Sequence, residues 1–177
     1  VFETLTDMSV LKAFELSIAD PVGMQDWRLS DGFYNYEPEM SLHRSFGANM
    51  STRDLARFGL LLASGGRWGD EQIIPEEWVE VSTRAHSKID LGPEYGTGYG
   101  YMWWVNGSEG FSARGYGGHV LAVYPDEDLV IVVRADTYHD RFLSNRAVGI
   151  LLDRIRAAKV RERVHSPRLE SLSGPGP

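Results

Sequence analysis

In the first half of the chain, apolar residues recur every three to four positions, a spacing that predicts helices. The first predicted helix runs from Ser9 to Asp20 and is ended by the proline that follows. Ser51 and Asp54 have the spacing of a capping box, in which Ser51 caps backbone N–H groups and Asp54 returns the bond. A short third helix is predicted to start at Pro75, because proline is tolerated in a first helical turn. The apolar positions of the first two helices are Val10, Leu11, Phe14 and Ile18, then Leu55, Phe58, Leu61 and Leu62.

The segment between these two helices, residues 21–49, has no sustained periodicity and is rich in Gly, Pro, Ser, Asp and Tyr. We predict a long ordered loop here. In a compact domain such a loop is usually functional or wrapped on a neighbour.

In the second half, aromatic and β-branched residues concentrate in short segments, which favours strands. The strand-like segments are 98–105, 119–124 and 129–134. Residues 125–128, Pro-Asp-Glu-Asp, form a turn sequence, so the last two segments are predicted to pair as an antiparallel hairpin. Ser144 is predicted to cap a closing helix that ends near Lys159. The predicted fold class is therefore α/β of the α+β type, with a three-stranded antiparallel sheet flanked by helices.

The boundaries of this fold follow from the same pattern. Residues 160–177 are rich in Ser, Gly and Pro and are predicted to be a disordered tail, which leaves residues 1–159 as the ordered portion. A three-stranded sheet has two edges, and we expect one of them to need further strands from elsewhere. The first residues lack an initiator Met and a signal-peptide pattern, so we expect that Val1 is not the natural start of the gene.

The composition is ordinary for a soluble globular protein, with 42% apolar and 24% charged residues. No run approaches the roughly 18 apolar residues that span a bilayer. The 25 acidic and 18 basic residues give a net charge of −7, which argues against binding to nucleic acid. Basic residues are concentrated between Arg154 and Arg168, where a solvated helix face is expected and a phosphate or membrane patch is the alternative.

The residue types also limit the possible cofactors. The chain has no cysteine, which excludes disulfides and thiolate ligands but leaves the compartment open. Its five histidines are scattered without metal-ligand spacing, so we predict no metal site and no cofactor. Trp103 and Trp104 are adjacent on a predicted strand and should face opposite sides, so one of them is expected in the core.

Five segments are distinctive when they are taken together. They are Ile18–Asp26, Asn49–Gly59, Gly98–Trp104, Gly115–His119 and Tyr124–Val130. In this order and spacing they resemble the serine β-lactamase-like hydrolases, which include class C β-lactamases, D-amino-acid peptidases and related carboxylesterases. The resemblance covers residues 1–159. It implies the C-terminal part of the β-lactamase and transpeptidase-like fold.

The resemblance also implies a chemistry built from three elements. A Ser-x-x-Lys supplies the nucleophile and the lysine that helps to deprotonate it. A Tyr-x-Asn loop carries the proton to the leaving group, and a Lys-Thr-Gly-like strand borders the substrate and gives one oxyanion-hole N–H. By resemblance, the first two elements lie upstream of the helix that begins near Ser9.

Ser9-Val10-Leu11-Lys12 is the one match to Ser-x-x-Lys in the chain. One interpretation makes Ser9 the nucleophile and Lys12 its base. The other makes Ser9 a helix N-cap and Lys12 a residue facing solvent. We favour the second, because serine is a preferred N-cap and no Tyr-x-Asn follows in the sequence. No catalytic residue is therefore assigned.

Tyr116-Gly117-Gly118 stands where the family carries Lys-Thr-Gly, immediately before an apolar strand. The glycines would let the strand backbone lie flat against a substrate acyl group, and the N–H of His119 would be an oxyanion donor. The alternative is a glycine-rich entry to a strand with Tyr116 merely packed. Lys and Thr suit a carboxylate such as that of a β-lactam, and Tyr116 and Gly117 do not. The residue types at these positions therefore favour ester or amide chemistry on uncharged substrates.

Two functions follow as hypotheses. In the first, the chain is part of a serine hydrolase that acts on a small ester, amide or lactam. In the second, it is an inactive truncated or split product that folds or binds a partner, either a missing N-terminal half or a second copy of itself. Exposed apolar surface would make self-association the expected behaviour of the isolated chain.

Overall fold

The computed structural model describes residues 1–92 and 95–158. These residues form two compact units, of which the first comprises residues 1–58 and the second begins at Gly59. The predicted disordered tail, 160–177, lies outside the described residues. No helix in the described ranges is long and apolar enough to cross a membrane.

The first unit begins with two short helices, α1 (Phe2–Thr6) and α2 (Val10–Phe14). The chain continues from α2 into a π-helical turn at Glu15–Ala19, so the helix predicted from the spacing is confirmed with a wider final turn. Ser9 caps α2, because its Oγ accepts a hydrogen bond from the Lys12 N–H at 3.1 Å.

The prediction of a long loop over residues 21–49 is wrong for its second half. Strands β1 (Gly32–Asn35) and β2 (Ser45–Ala48) form an antiparallel hairpin there. The Phe33 ring packs over Gly47, where a Cβ atom would lie 2.5 Å from the Phe33 Cζ. The nine residues between the two strands contain no short turn signal, so the pairing is not visible in the sequence.

Helix α3 (Thr52–Ala63) starts where the sequence predicts. The Ser51 Oγ accepts the Asp54 N–H at 3.1 Å, which confirms the first half of the capping box. Asp54 does not return the bond. Its carboxylate instead accepts backbone N–H groups from residues 25–27, so the second half of that prediction is wrong.

The second unit is built on a six-stranded antiparallel sheet instead of the predicted three strands. A small ribbon, β3 (Arg67–Trp68) with β4 (Glu71–Gln72), and helix α4 (Glu76–Thr83) precede this sheet. The strands of the sheet are β5 (Ser87–Lys88), β6 (Gly98–Tyr99), β7 (Trp104–Val105), β8 (Phe111–Gly115), β9 (His119–Tyr124) and β10 (Leu129–Val133). They lie side by side in the order β10-β9-β8-β7-β6-β5.

The differences in strand count have local causes. The predicted strand over 98–105 is a tight hairpin of β6 and β7, in which the Gly100 N–H bonds the Trp103 carbonyl at 2.8 Å. Strand β8 is not predicted at all. It is only five residues long, and a glycine before it and another at its end make it resemble a loop. The β9–β10 hairpin is confirmed, with its turn at residues 125–128.

Helices cover both faces of the sheet in the second unit. On one face, alternate residues of β9, among them Val120 and Ala122, pack against Val148 and Leu152 of helix α5 (Asn145–Ala158). On the other face Gly59 lies against Leu121 and Val130, where a Cβ atom would come within 2.7 Å of both side chains. The Ser144 Oγ accepts the Ala147 N–H at 3.2 Å, so the predicted cap of α5 is confirmed.

Arg156 modifies the predicted solvated basic face of α5. Its guanidinium donates to the Glu127 carboxylate and, at 3.0 Å, to that of Glu109, and it lies 4.4 Å from the centre of the Tyr124 ring. These bonds raise the pKa of Arg156, with the bond to Glu127 as the largest cause. At least this one residue of the basic run is therefore part of the fold of the second unit.

Candidate active site

Tyr116, Gly117 and Gly118 form a 3₁₀ turn at the tip of the hairpin that joins β8 to β9. Gly117 has φ 76° and Gly118 has φ 93°, a left-handed region that strongly favours glycine. The sequence places a flat strand here, and the structure has a turn. The two glycines are needed for this turn, and His119 becomes the first residue of β9, opposite Gly115.

A second segment, residues 137–143, fixes the turn from one side. The Leu143 N–H donates to the Gly117 carbonyl at 3.0 Å. A Cβ atom on Gly118 would lie 2.7 Å from the Leu143 carbonyl oxygen, and one on Gly117 would lie 2.9 Å from the Phe142 ring. The turn and this segment are thus in contact through backbone, with no space for larger residues.

Tyr116 stands out from this fixed turn. Its side chain is 81% exposed, so it is not packed in a core. Its only ring contact among the described residues is an edge-to-face one with Phe142, at 5.4 Å between centroids and 69° between planes. The two rings form an aromatic wall beside the turn. The Tyr116 hydroxyl can in addition donate a hydrogen bond.

Strand β8 leads to the same turn, and its neighbour β7 pairs with only part of it. It pairs with β9 over its whole length, but with β7 only as far as Ser112. Within the described ranges, Ala113–Gly115 therefore have a strand partner on one side only. Such an edge can accept an extended group through backbone hydrogen bonds. Sequence reasoning missed this edge because it missed β8.

The His119 side chain forms a hydrogen bond within the fold of the second unit. Its Nδ1 accepts the backbone N–H of Ala135 at 3.3 Å, which links the start of β9 to the residues after β10. Nδ1 must therefore be unprotonated, and the ring carries its proton on Nε2. Burial, and to a lesser degree the charge of Arg134, lowers the pKa of His119 below its usual value. The neutral ring is the form that fits this bond.

Ser9 and Lys12 belong to the first unit, and Tyr116–His119 to the second. The Ser9 Oγ is occupied as the cap of α2, and the Lys12 Nζ is paired with the Glu15 carboxylate. Both observations agree with the interpretation of this Ser-x-x-Lys as a helix start. Neither group is placed to activate the other, because serine activation needs a base at its oxygen.

The remaining candidates are held by packing. Trp103 packs edge-to-face on Phe111 at 5.0 Å, and Trp104 lies 4.9 Å from the rings of Tyr95 and Tyr99. Both tryptophans are half-buried, so the prediction that one of them lies in the core is wrong. Among residues 1–92 and 95–158, no group of three or more His, Cys, Asp or Glu side chains could hold a metal ion.

Comparison with known proteins identifies the class. The family model described as Beta-lactamase matches residues 1–157. The chain therefore belongs to the beta-lactamase family of hydrolases, as the five sequence segments predict.

Two similar proteins are more specific. A 6-aminohexanoate-dimer hydrolase of Paenarthrobacter ureafaciens is 32% identical over 124 residues, which are 63% of this chain and 31% of that protein. A solved structure described as a proposed 6-aminohexanoate-dimer hydrolase from Bacillus anthracis matches with a TM-score of 0.62 and 23% identity, over 91% of this chain and 42% of that one. This second likeness confirms the predicted fold. The chain spans less than half the length of either protein.

Proposed function

We propose that this chain supplies the substrate-side wall of a serine hydrolase that cleaves uncharged esters or amides through an acyl-enzyme. In such a reaction the serine oxygen attacks the substrate carbonyl, and the alcohol or amine leaves with a proton. Water then releases the acid and regenerates the serine. The serine, its lysine and the tyrosine would come from a segment that precedes Val1 or from a second polypeptide.

The observation that carries the proposal is the exposed aromatic side chain of Tyr116 on a rigid turn at the end of β8. Catalytic surfaces are typically loops fixed by a rigid scaffold, and this turn is held by backbone contacts to residues 137–143. The open edge of β8 gives the acyl group a backbone to lie along. The oxyanion donor is proposed among the backbone N–H groups at this end of the sheet, where the sequence points to that of His119.

The substrate class follows from the side chains around the turn. Tyr116 offers a ring and a neutral hydroxyl, and the two following residues offer backbone alone. Segment 136–141 contains two aspartates, Asp136 and Asp140, and one arginine, Arg141, for a formal charge of −1 with histidine neutral. A carboxylate would gain little here, since the cation that binds it in a bidentate manner is missing from the turn itself. The relatives' names supply 6-aminohexanoate dimer as a further substrate to assay.

A second candidate function is a binding module without turnover. One observation in its favour is that the serine of the one Ser-x-x-Lys in the chain caps a helix. It is also favoured by exposed rings on the β1–β2 hairpin, of which Phe46 is 60% and Tyr36 55% exposed. In this case the partner is the missing N-terminal half or another copy of the chain.

The test is to express the complete open reading frame that contains this chain, and to compare two substrates. These are a neutral nitrophenyl ester and a chromogenic cephalosporin, which carries a carboxylate. We expect kcat/KM for the ester to be higher by about tenfold or more, equivalent to roughly 1.4 kcal/mol of transition-state binding. A preference for the cephalosporin would contradict the substrate class. Absence of hydrolysis of these two substrates and of 6-aminohexanoate dimer would favour the binding module.

A further inference from the structure

We infer that Phe142 is a specificity-determining residue, which with Tyr116 forms an apolar subsite for an unbranched acyl chain. The inference rests on the proposed function and deepens it by naming the part of the substrate that the wall selects. Sequence reasoning did not single out Phe142, because it follows the charged run His139-Asp140-Arg141 and lies outside every predicted element.

The position of Phe142 is fixed from two directions. Its ring meets the Tyr116 ring edge-to-face, and it would be 2.9 Å from a Cβ atom on Gly117. The next residue, Leu143, is bonded through its N–H to the Gly117 carbonyl. The Phe142 ring is therefore held beside the turn by the backbone hydrogen bond of the next residue.

Phe142 nevertheless keeps a free face. Its side chain is 46% exposed, and that of Leu143 is 38% exposed. The Tyr116 and Phe142 rings, which are in contact, and the neighbouring Leu143 form an exposed apolar strip at the tip of the β8–β9 hairpin. Exposed aromatic rings on a rigid support bind apolar groups at low entropic cost, because there is little side-chain freedom left to lose.

One charge of the surrounding segment is paired within the segment itself. The Asp136 carboxylate is occupied by the His139 ring, whose Nδ1 lies 2.9 Å from both oxygens. No cation lies over the Tyr116 or Phe142 ring among the contacts of the described residues. An unbranched apolar chain is the ligand that such a ring-lined strip accommodates.

The experiment uses the complete open reading frame and nitrophenyl esters of straight-chain acids with two to eight carbons. For the unaltered protein we expect kcat/KM to rise about fourfold with each buried methylene. Phe142→Ala should lower the ratio of the eight-carbon to the two-carbon ester by at least about tenfold. The readout is the ratio of the two esters, so an effect of the substitution that is common to both esters cancels. Phe142→Leu should restore most of the ratio.

Tyr138→Ala is the matched control, because Tyr138 lies in the same segment and is 91% exposed, with no ring contact among the described residues. Its ratio should equal that of the unaltered protein. If the esters are hydrolysed and Phe142→Ala leaves the ratio unchanged, the inference is wrong while the proposed function stands. If no ester is hydrolysed and no acyl adduct forms, both are wrong.

Discussion

Asp54 shows how one carboxylate can organise a stretch of irregular chain. Its side chain is fully buried, and its two oxygens accept the N–H groups of Gln25, Asp26 and Trp27 at 2.8, 2.8 and 2.9 Å. One turn further along α3, the Arg57 guanidinium donates to the Val22 carbonyl at 3.1 Å. Helix α3 therefore fixes the backbone of residues 22–27, which contain part of the sequence segment shared with the family.

Replacement of Asp54 by alanine should be among the most destabilising single changes in the chain. It would remove the acceptor of three backbone N–H groups, of which that of Trp27 is buried and those of Gln25 and Asp26 are partly buried, which costs about 3 kcal/mol in total. The measurement is the free energy of unfolding from denaturant titration. Asp20→Ala, at an exposed aspartate whose side chain makes no hydrogen bond among those found, should change this free energy by less than about 0.5 kcal/mol. Equal effects of the two substitutions would show that the bonds from Asp54 to residues 25–27 do not stabilise the fold.

His119 should make stability depend on pH. Its pKa in the folded chain is lowered by burial, so the unfolded chain binds a proton more readily than the folded one. The stabilisation is complete above about pH 6.5, the usual histidine pKa, and is lost as the pH falls through the lower folded pKa. His119→Gln should remove this component, so that denaturation midpoints fall less between pH 7.5 and pH 5 than in the unaltered chain. The same pH dependence in both proteins would show that another group is responsible.

Among the elements, the turn at Tyr116–Gly118 depends most on residue type. Gly118→Ala would combine a left-handed backbone with a Cβ atom 2.7 Å from the Leu143 carbonyl oxygen. Gly107 is the matched control, since it has φ 57° and nothing within 4 Å of its Cβ position. We expect Gly107→Ala to cost about 1 kcal/mol of unfolding free energy and Gly118→Ala roughly 2 kcal/mol more. Thermal or denaturant unfolding measures the difference, and equal costs would mean that the turn can relax.

The elements that the sequence predicts correctly are those with a local signal. Ser9, Ser51 and Ser144 each cap the helix expected of them, and the turn at 125–128 joins β9 to β10. A cap or a tight turn involves neighbours a few residues apart, so its chemistry can be read from the sequence alone.

The elements that sequence reasoning misses depend on distant partners. Strand β8 is stabilised by β7 and β9, and β1 by β2 across a nine-residue connection. The three bonds that Asp54 accepts come from residues 27 to 29 positions away. The candidate site can be predicted in part from the sequence. Tyr116–His119 can be located by resemblance, whereas Phe142 reaches the turn only through tertiary packing.

At the scale of the whole molecule, the main features are an unpaired strand edge and exposed apolar side chains. Among the described strands, β10 has no partner on its outer side. The hairpin region of the first unit exposes several large apolar side chains, including Met40 at 81% and Leu42 at 84%. We therefore expect the 177-residue chain to self-associate, seen as a sedimentation coefficient that rises with concentration. A monomer that stays monodisperse and unfolds cooperatively would contradict this expectation.

We propose that this chain contributes the substrate-side wall of an active site and does not contribute its nucleophile. The most direct test is labelling with a fluorophosphonate, followed by peptide mass spectrometry, on the 177-residue chain and on the product of its complete open reading frame. We expect no adduct on any serine of the chain, and an adduct on the serine of a Ser-x-x-Lys in the longer product. An adduct on Ser9, abolished by Ser9→Ala in a variant that still folds, would contradict it.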